Sequence, residues 1–472
     1  MSDCSHANPV ALPKLNIKQT VVVGLSFMSI TGLWFFFNSV VPPILEGHFG
    51  LSGVMTGFIV ALNAIFGLML SPLVGWLSDR TKSRFGRRLP YILGGAVVGG
   101  VALALMPLGF ETFWLFVLIL VITVFAVMAF RTPAVALMPD VTLKPHRTVG
   151  NGIINVMGVL GGLVGMVIFM VFINTESHPD RPYRNLIVLD SGATTAFVLV
   201  GVLIIVANVI LFLVIKENRL VKKREQLQKE LGLIEEEAGG AGEKLSKEQM
   251  TGIRLLLASV FLWFMAYNAV ETWYTTYAFN VLGFSPEAAG MGMIFSLAFG
   301  FIAFIPASIL AVKIGRKRAV MTGVLIKLAG LAAIYFITPD TSFLVYAPMA
   351  LVGIGWATIN ASSFVMVVEL SKNTNLGRFV GIYYVASMSA QAVTPILSGL
   401  LRDVVYARTG DFGLGLRSIF VYAAVFMGLA FFTMMFAKHG NTYRLEEKVA
   451  GIAAQTAEPP KTASRPCCNR PL

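Results

Sequence analysis

One carboxyl and two cations stand where the chain is otherwise apolar. Glu271 lies in the run WFMAYNAVETWYTTYAFN, Arg131 in FAVMAFRTPAVALMPD and Lys327 in AVMTGVLIKLAGLAAIYF. Ionisable groups at membrane depth cost about 2.5–3.5 kcal/mol each on insertion scales, so they mark function. Tyr267, Glu271 and Tyr274 are spaced i, i+4, i+7 and share a helical face, with Asn268 and Trp273 beside it. A carboxyl in such a place passes between neutral and charged forms as burial and neighbouring charge compete. Glu271 is therefore the expected proton carrier. Arg131, on approach, would favour the charged form while holding a substrate hydroxyl or carboxylate. A fixed Arg131–Glu271 pair, or two separately satisfied groups, is the competing reading. Lys327 lies within a few turns of Arg318 and is expected to snorkel along its own stem to the membrane face, a buried role being the competing reading.

Polar and aromatic residues also form stripes at helical spacing. They are Thr31, Trp34 and Asn38; Asn151, Asn155 and Gly158; Gly353, Trp356, Asn360 and Ser363; and Tyr384, Ser387, Gln391 and Thr394. Each single residue is explained as well by hydrogen bonding between helices. Together, amides beside flat indole rings suit a polyhydroxylated ring, whose faces stack and whose edges donate and accept. The expected substrate contacts are Trp34, Asn38, Arg131, Asn155, Tyr267, Asn268, Tyr274, Trp356, Asn360 and Gln391.

The elements that must hold these residues are membrane-spanning helices. Of 472 residues, 56% are hydrophobic and 13% charged, too little charge for a soluble surface of this size. The apolar residues fall in twelve blocks, each near the ~20 residues that cross the hydrocarbon. The net charge of +12 does not point to nucleic acid. Most of the 37 Lys and Arg fall in the tails and alternate loops of one side, while Arg181, Arg184, Arg402, Arg408 and Arg417 fall on the other. That asymmetry places both termini in the cytoplasm of a multi-pass plasma (inner) membrane protein. The first residues lack a charged start followed by a short apolar core, so no cleaved leader is expected. Cys4, Cys467 and Cys468 lie in the tails, with no metal spacing. No nucleophile–base pair stands out, so no enzyme, metal or cofactor is expected.

The chain divides into a tail (1–18), a six-helix half (19–215), a charged linker (216–252), a second six-helix half (253–437) and an unstructured tail (438–472). The halves echo each other. After its second helix the first half reads Asp79-Arg80 … Gly86-Arg87-Arg88, and the second reads Gly315-Arg316-Lys317-Arg318 without the acid. Asp140 is followed by Arg147-Thr-Val-Gly150, and Glu369 by Arg378-Phe-Val-Gly381. A duplicated six-helix unit is how many secondary transporters are built, with the site at the interface of the halves.

The loop G-x-x-x-D-R … G-R-R resembles the signature of the major facilitator superfamily. Its long form, D-R-T-x-x-R-x-G-R-R-x-P-Y from Asp79 to Tyr91, is similar to the plant sucrose carriers, their animal relatives and the glycoside–pentoside–hexuronide cation symporters. Arg131, Pro133, Ala136-Leu137 and Asp140 resemble the R-A-L-x-A-D stretch of the sucrose carriers. The resemblance implies an all-α membrane protein of twelve helices in two pseudo-symmetric halves, carrying a sugar or glycoside with a proton by rocking alternating access, as a monomer. Sucrose carriers also bear an acid upstream of the helix-4 arginine; between Glu111 and Asp140 this chain has none, so the coupling scheme cannot be copied across. Proton-coupled efflux of amphipathic molecules, and a membrane chaperone on the same fold, are the alternatives.

The loop should act as a latch. Asp79 is expected to cap a neighbouring helix and pair with an arginine across the halves, and Asp140 to accept Arg87 or Arg88. Topology alone, with the cations merely holding the loop inside, is the competing account. The gating set is Asp79, Arg80, Gly86, Arg87, Arg88, Asp140, Arg147, Gly315, Arg316, Glu369 and Arg378.

Overall fold

A computed structural model describes residues 15–178, 183, 185–231, 247–370 and 376–437. The three cysteines lie outside the described residues, as do the side chains of Glu369 and Arg378. Twelve helices cross the membrane in two halves. The first half holds α1 (Ile17–Pro43), α2 (Gly53–Arg80), α3 (Leu89–Ala104), α4 (Phe113–Val141), α5 (Arg147–Phe172) and α6 (Ser191–Val214). The second holds α8 (Lys247–Asn280), α9 (Pro286–Ile314), α10 (Arg316–Tyr335), α11 (Tyr346–Leu370), α12 (Leu376–Thr409) and α13 (Phe412–Phe436). Eleven are long and apolar enough to span alone; α3 is shorter and is carried on by the turn Met106–Gly109. The linker forms α7 (Glu217–Glu230).

Helix starts follow local chemistry. Asn16, Ser52, Asp190, Ser285 and Asp411 each accept a backbone N–H from the first turn of the following helix, satisfying donors that the helix cannot. After Pro42 and Pro43 the chain does not leave the helix. It winds through a wide turn, Ile44–His48, which carries Glu46 into the protein.

Loops alternate between two ends. The end bearing α7 is here called the linker end. The other carries a β-hairpin, Asn174–Ser177 paired with Asn185–Val188, and is called the hairpin end. Small residues bring the halves together at the hairpin end. A Cβ on Gly57 of α2 would sit on the Pro395 carbonyl of α12, and one on Gly399 of α12 on the Gly53 carbonyl. Within the first half, Gly161 and Gly165 press α5 onto the backbone of α1 at Met28 and Gly32, so the glycine-rich face of α5 is a packing face. At the linker end, Gly152 of α5 and Gly381 of α12 border open space.

Candidate functional site

Glu271 of α8 points into the seam between the halves and is 7% exposed. Its hydrogen-bonding neighbours are Tyr267, one turn back, and Trp34 and Asn38 of α1. Asn63 of α2, Asn268 and Thr272 of α8 and Gln391 of α12 complete a narrow cavity that encloses about 10 Å³, room for one water. Four helices from both halves thus meet at one carboxyl. Asn268 spends an N–H on the Phe264 carbonyl at 2.7 Å, so what it retains for the cavity includes its acceptor oxygen. Asn63 is buried, and its Oδ1 has no hydrogen-bond partner. Hydroxyl-bearing cargo would satisfy such acceptors.

Lys327 does not snorkel. It is 1% exposed, and its ammonium lies 4.4 Å over the Tyr267 ring. Its charge acts on Glu271. The reason is the crossing of α10 and α11, where Gly323 and Gly355 lie against each other's helix; a Cβ on Gly355 would meet that of Lys327 at 2.7 Å. The lysine stem is wedged in this crossing rather than laid along lipid.

Arg131 stands apart from this group. It is half-buried on α4, with the phenol of Tyr384 of α12 near it. Among the described residues no ion pair joins Arg131 to Glu271; the cation whose charge acts on that carboxyl is Lys327. Tyr274 is also elsewhere. It shares the face of Glu271 but lies about two turns from Tyr267, roughly 10 Å along the axis, where α9 closes over it; a Cβ on Gly292 would strike its hydroxyl. Trp356 stacks obliquely on Tyr267 with ring centres 6.2 Å apart, at the edge of the site. Asn360 gives an N–H to the Trp356 carbonyl. Asn155 is exposed and gives one to Asn151.

With that geometry in view, the family model described as Major Facilitator Superfamily matches residues 23–395 and 294–465. The chain belongs to the major facilitator superfamily. It is similar to sucrose transport protein SUT1 of Oryza sativa subsp. japonica, at 34% identity over 105 residues. That match spans 22% of this chain and 18% of SUT1, so the chain covers less than a fifth of that relative. The solved D-xylose-proton symporter shares the fold at a TM-score of 0.61 and 18% identity, covering 87% of this chain and 96% of that one. The nucleoside transporter NupG does so at 0.64 and 14%, covering 90% and 100%. Membership makes this a transporter rather than an enzyme.

The superfamily loop forms a charge cluster within its own half. Asp140 accepts Arg87 at 2.8 Å and Arg88 at 3.0 Å. Asp79 pairs with Arg88, in the same half, so the cross-half pairing expected of Asp79 is not the one made here. The linker supplies a residue that the sequence reading left out. Glu217, 1% exposed, accepts the backbone N–H groups of Arg87, Arg88 and Leu89. These carboxylates outweigh the burial of Arg87 and push its guanidinium pKa up. Gly86 takes a positive φ of 125° to bring that turn over Glu217, and Gly315 takes 90° at the matching point of the second half, a conformation that favours glycine. There Lys317 donates to the Met435 and Ala437 carbonyls, each at 2.8 Å. Arg80 lies over Trp76, and Arg147 donates to the Pro139 carbonyl.

The hairpin end carries a cluster that spans the halves. Arg402 was expected in a loop. It is 2% exposed inside α12, and binds Glu46 of the first half at 2.5 Å. Asp403 accepts the Gly53 and Val54 N–H groups at the start of α2, both at 2.9 Å. Arg402 also lies 4.6 Å over the Trp273 ring. The acid at the end of the first apolar run and the Arg-Asp pair in the eleventh were the available signals.

Proposed function

We propose that the chain is a proton-coupled sugar or glycoside symporter of the plasma (inner) membrane, monomeric, with both termini and the linker end in the cytoplasm. The observation that carries this reading is the single carboxyl, Glu271, ringed by Trp34, Asn38, Asn63, Asn268 and Gln391 from both halves. Amide oxygens and indole faces suit a sugar's hydroxyls and C–H faces, and one lone carboxyl suits a proton. The relative named for sucrose transport and the neighbour named as a D-xylose-proton symporter fit the same chemistry. In this scheme Glu271 takes the proton, Asn38, Asn268 and Gln391 bind hydroxyls, and Trp34 supplies a stacking face. Tyr267 and Trp356 border the site, while Arg131 with Asn155 lines the way in from the linker end. The gate at that end consists of Asp79, Arg80, Gly86, Arg87, Arg88, Asp140 and Arg147, echoed by Gly315 and Arg316, with Glu369 and Arg378 as their sequence counterparts.

A rocking cycle follows from two ends that close in turn. The cavity at Glu271 is too small for a sugar here, so cargo enters only when the halves part around it. The test is a thermal-shift panel of mono- and disaccharides on the purified protein, then uptake in vesicles. A sugar that stabilises the wild type should be accumulated uphill. In Glu271→Gln uphill uptake should be lost while sugar-for-sugar exchange persists. Unchanged accumulation in that variant excludes Glu271 as the proton carrier.

A further inference from the structure

The proposed cycle leaves the β-hairpin without a task. The hairpin joins α5 to α6 and so belongs to the first half, yet its second strand is fastened to the second half. Asn185, the first residue of that strand, donates its side-chain amide to the Phe279 carbonyl at 2.6 Å and its backbone N–H to the Asn280 side-chain oxygen at 3.3 Å. Both partners sit at the C-terminal end of α8, where the last carbonyls of a helix lack donors of its own. Tyr277 and Ala278 find donors in Val281 and Phe284 just beyond; Phe279 is supplied from the other half. Asn185 therefore caps, across the seam, the helix whose Glu271 lies about 12 Å back along the axis. The hairpin is also seated on its own half. A Cβ on Gly47 would meet Leu186 at 2.7 Å and the ring of Tyr183 at 3.0 Å. That buried ring lies 5.6 Å from Phe412 at the start of α13, beside the Glu46–Arg402 pair. In the second half the matching link, between α12 and α13, is Gly410 and Asp411 alone, so one half carries this device and the other does not.

On the rocking cycle proposed above, we infer that the hairpin is a strap that holds the hairpin end shut by capping α8 from the opposite half, with Asn185 as its catch. When the halves part at that end, Asn185 must leave Phe279 and Asn280, and water takes its place on both. Because water replaces the lost partners, each hydrogen bond biases the closed state by only about three- to tenfold. A catch of that strength favours the shut end and still lets it open within a transport cycle. Asn185 is a positioning residue: it acts through α8 and touches no cargo.

The test is amide hydrogen exchange, followed by mass spectrometry on the full chain in lipid nanodiscs without cargo. Gly53 and Val54 report the door, because Asp403 of the other half holds their N–H groups; residues 279–284 report the cap itself. In Asn185→Ala, exchange at Gly53 and Val54 should rise about three- to tenfold, the worth of one lost hydrogen bond. A second variant joins Asn185→Cys to Asn280→Cys, with Cys4, Cys467 and Cys468 replaced by Ser. With its disulfide closed, exchange at Gly53 and Val54 should fall below the wild type, and reductant should bring it back to the wild-type rate or above. The inference is overturned if Asn185→Ala speeds exchange only at residues 279–284, the mark of a local cap. It is equally overturned if the closed disulfide leaves Gly53 and Val54 at the wild-type rate, or if the two cysteines do not cross-link. Should Asn185→Ala fail to fold, the oxidised form against the reduced form decides. None of these readouts involves sugar or proton, so the symport reading stands or falls separately, with Glu271→Gln.

Discussion

At the hairpin end, charged side chains tie the halves to each other; at the linker end, they tie a loop to its own half. Both clusters use buried arginine and carboxylate, yet they do different work. Glu46–Arg402 and the Asp403 cap on α2 join residues about 350 positions apart. Arg88, Asp140, Asp79 and Glu217 lie within the first half and the linker segment that follows it. In the rocking cycle proposed above, the first cluster must break for the hairpin end to open, while the second can persist as a rigid unit. Charge content alone does not make a gate; what matters is whether the pair crosses the seam.

The contrast can be broken most severely at Arg402. Arg402→Ala leaves the Glu46 carboxylate buried without its partner, which costs about 3–5 kcal/mol. Thermal unfolding in detergent should fall steeply, and a cysteine placed at Gly50 should become more reactive as the hairpin end loosens. Glu217→Gln should come next. It weakens a carboxylate that holds three backbone N–H groups, a loss of about 1.5–3 kcal/mol, and faster amide exchange at residues 86–89 should report it while the hairpin end stays shut. Asp79→Asn should be the mildest. Its side chain is 55% exposed, and such pairs contribute about 0–1 kcal/mol. Stability should hardly change, and Arg88 keeps Asp140. If Asp79→Asn instead redistributes the two conformations strongly, then Asp79 has a partner across the seam in the other state, as the loop motif suggested.

The architecture was legible because hydrocarbon imposes length and polarity on every crossing segment. The twelve apolar runs, the interrupting charges and the paired Gly-Arg loops therefore map directly onto helices and ends. Glu271 was legible for the same reason, as were its amide and aromatic neighbours on α1, α8 and α12. What spacing along one helix cannot reveal is rotation and depth between helices. Tyr274 shares a face with Glu271 and lies less than a turn further along α8, yet its hydroxyl is turned under α9 against Gly292. Lys327 read as a snorkelling side chain because the approach of Gly323 to Gly355 is a property of two helices at once. Arg402 read as a loop residue because α12 extends to Thr409, beyond its apolar stretch, with its charges covered by Glu46 and Trp273. Glu217 was hidden in a charged linker, where one more acid carried no signal.

The central claim is that sugar and proton move together through Glu271. The direct measurement is external pH in a weakly buffered suspension of vesicles holding the purified protein, on adding the sugar that stabilises it most. The account predicts alkalinisation outside with the wild type, in step with sugar uptake, and none with Glu271→Gln. Sugar uptake without proton movement, or an undiminished pH change in the Glu271→Gln variant, would contradict it.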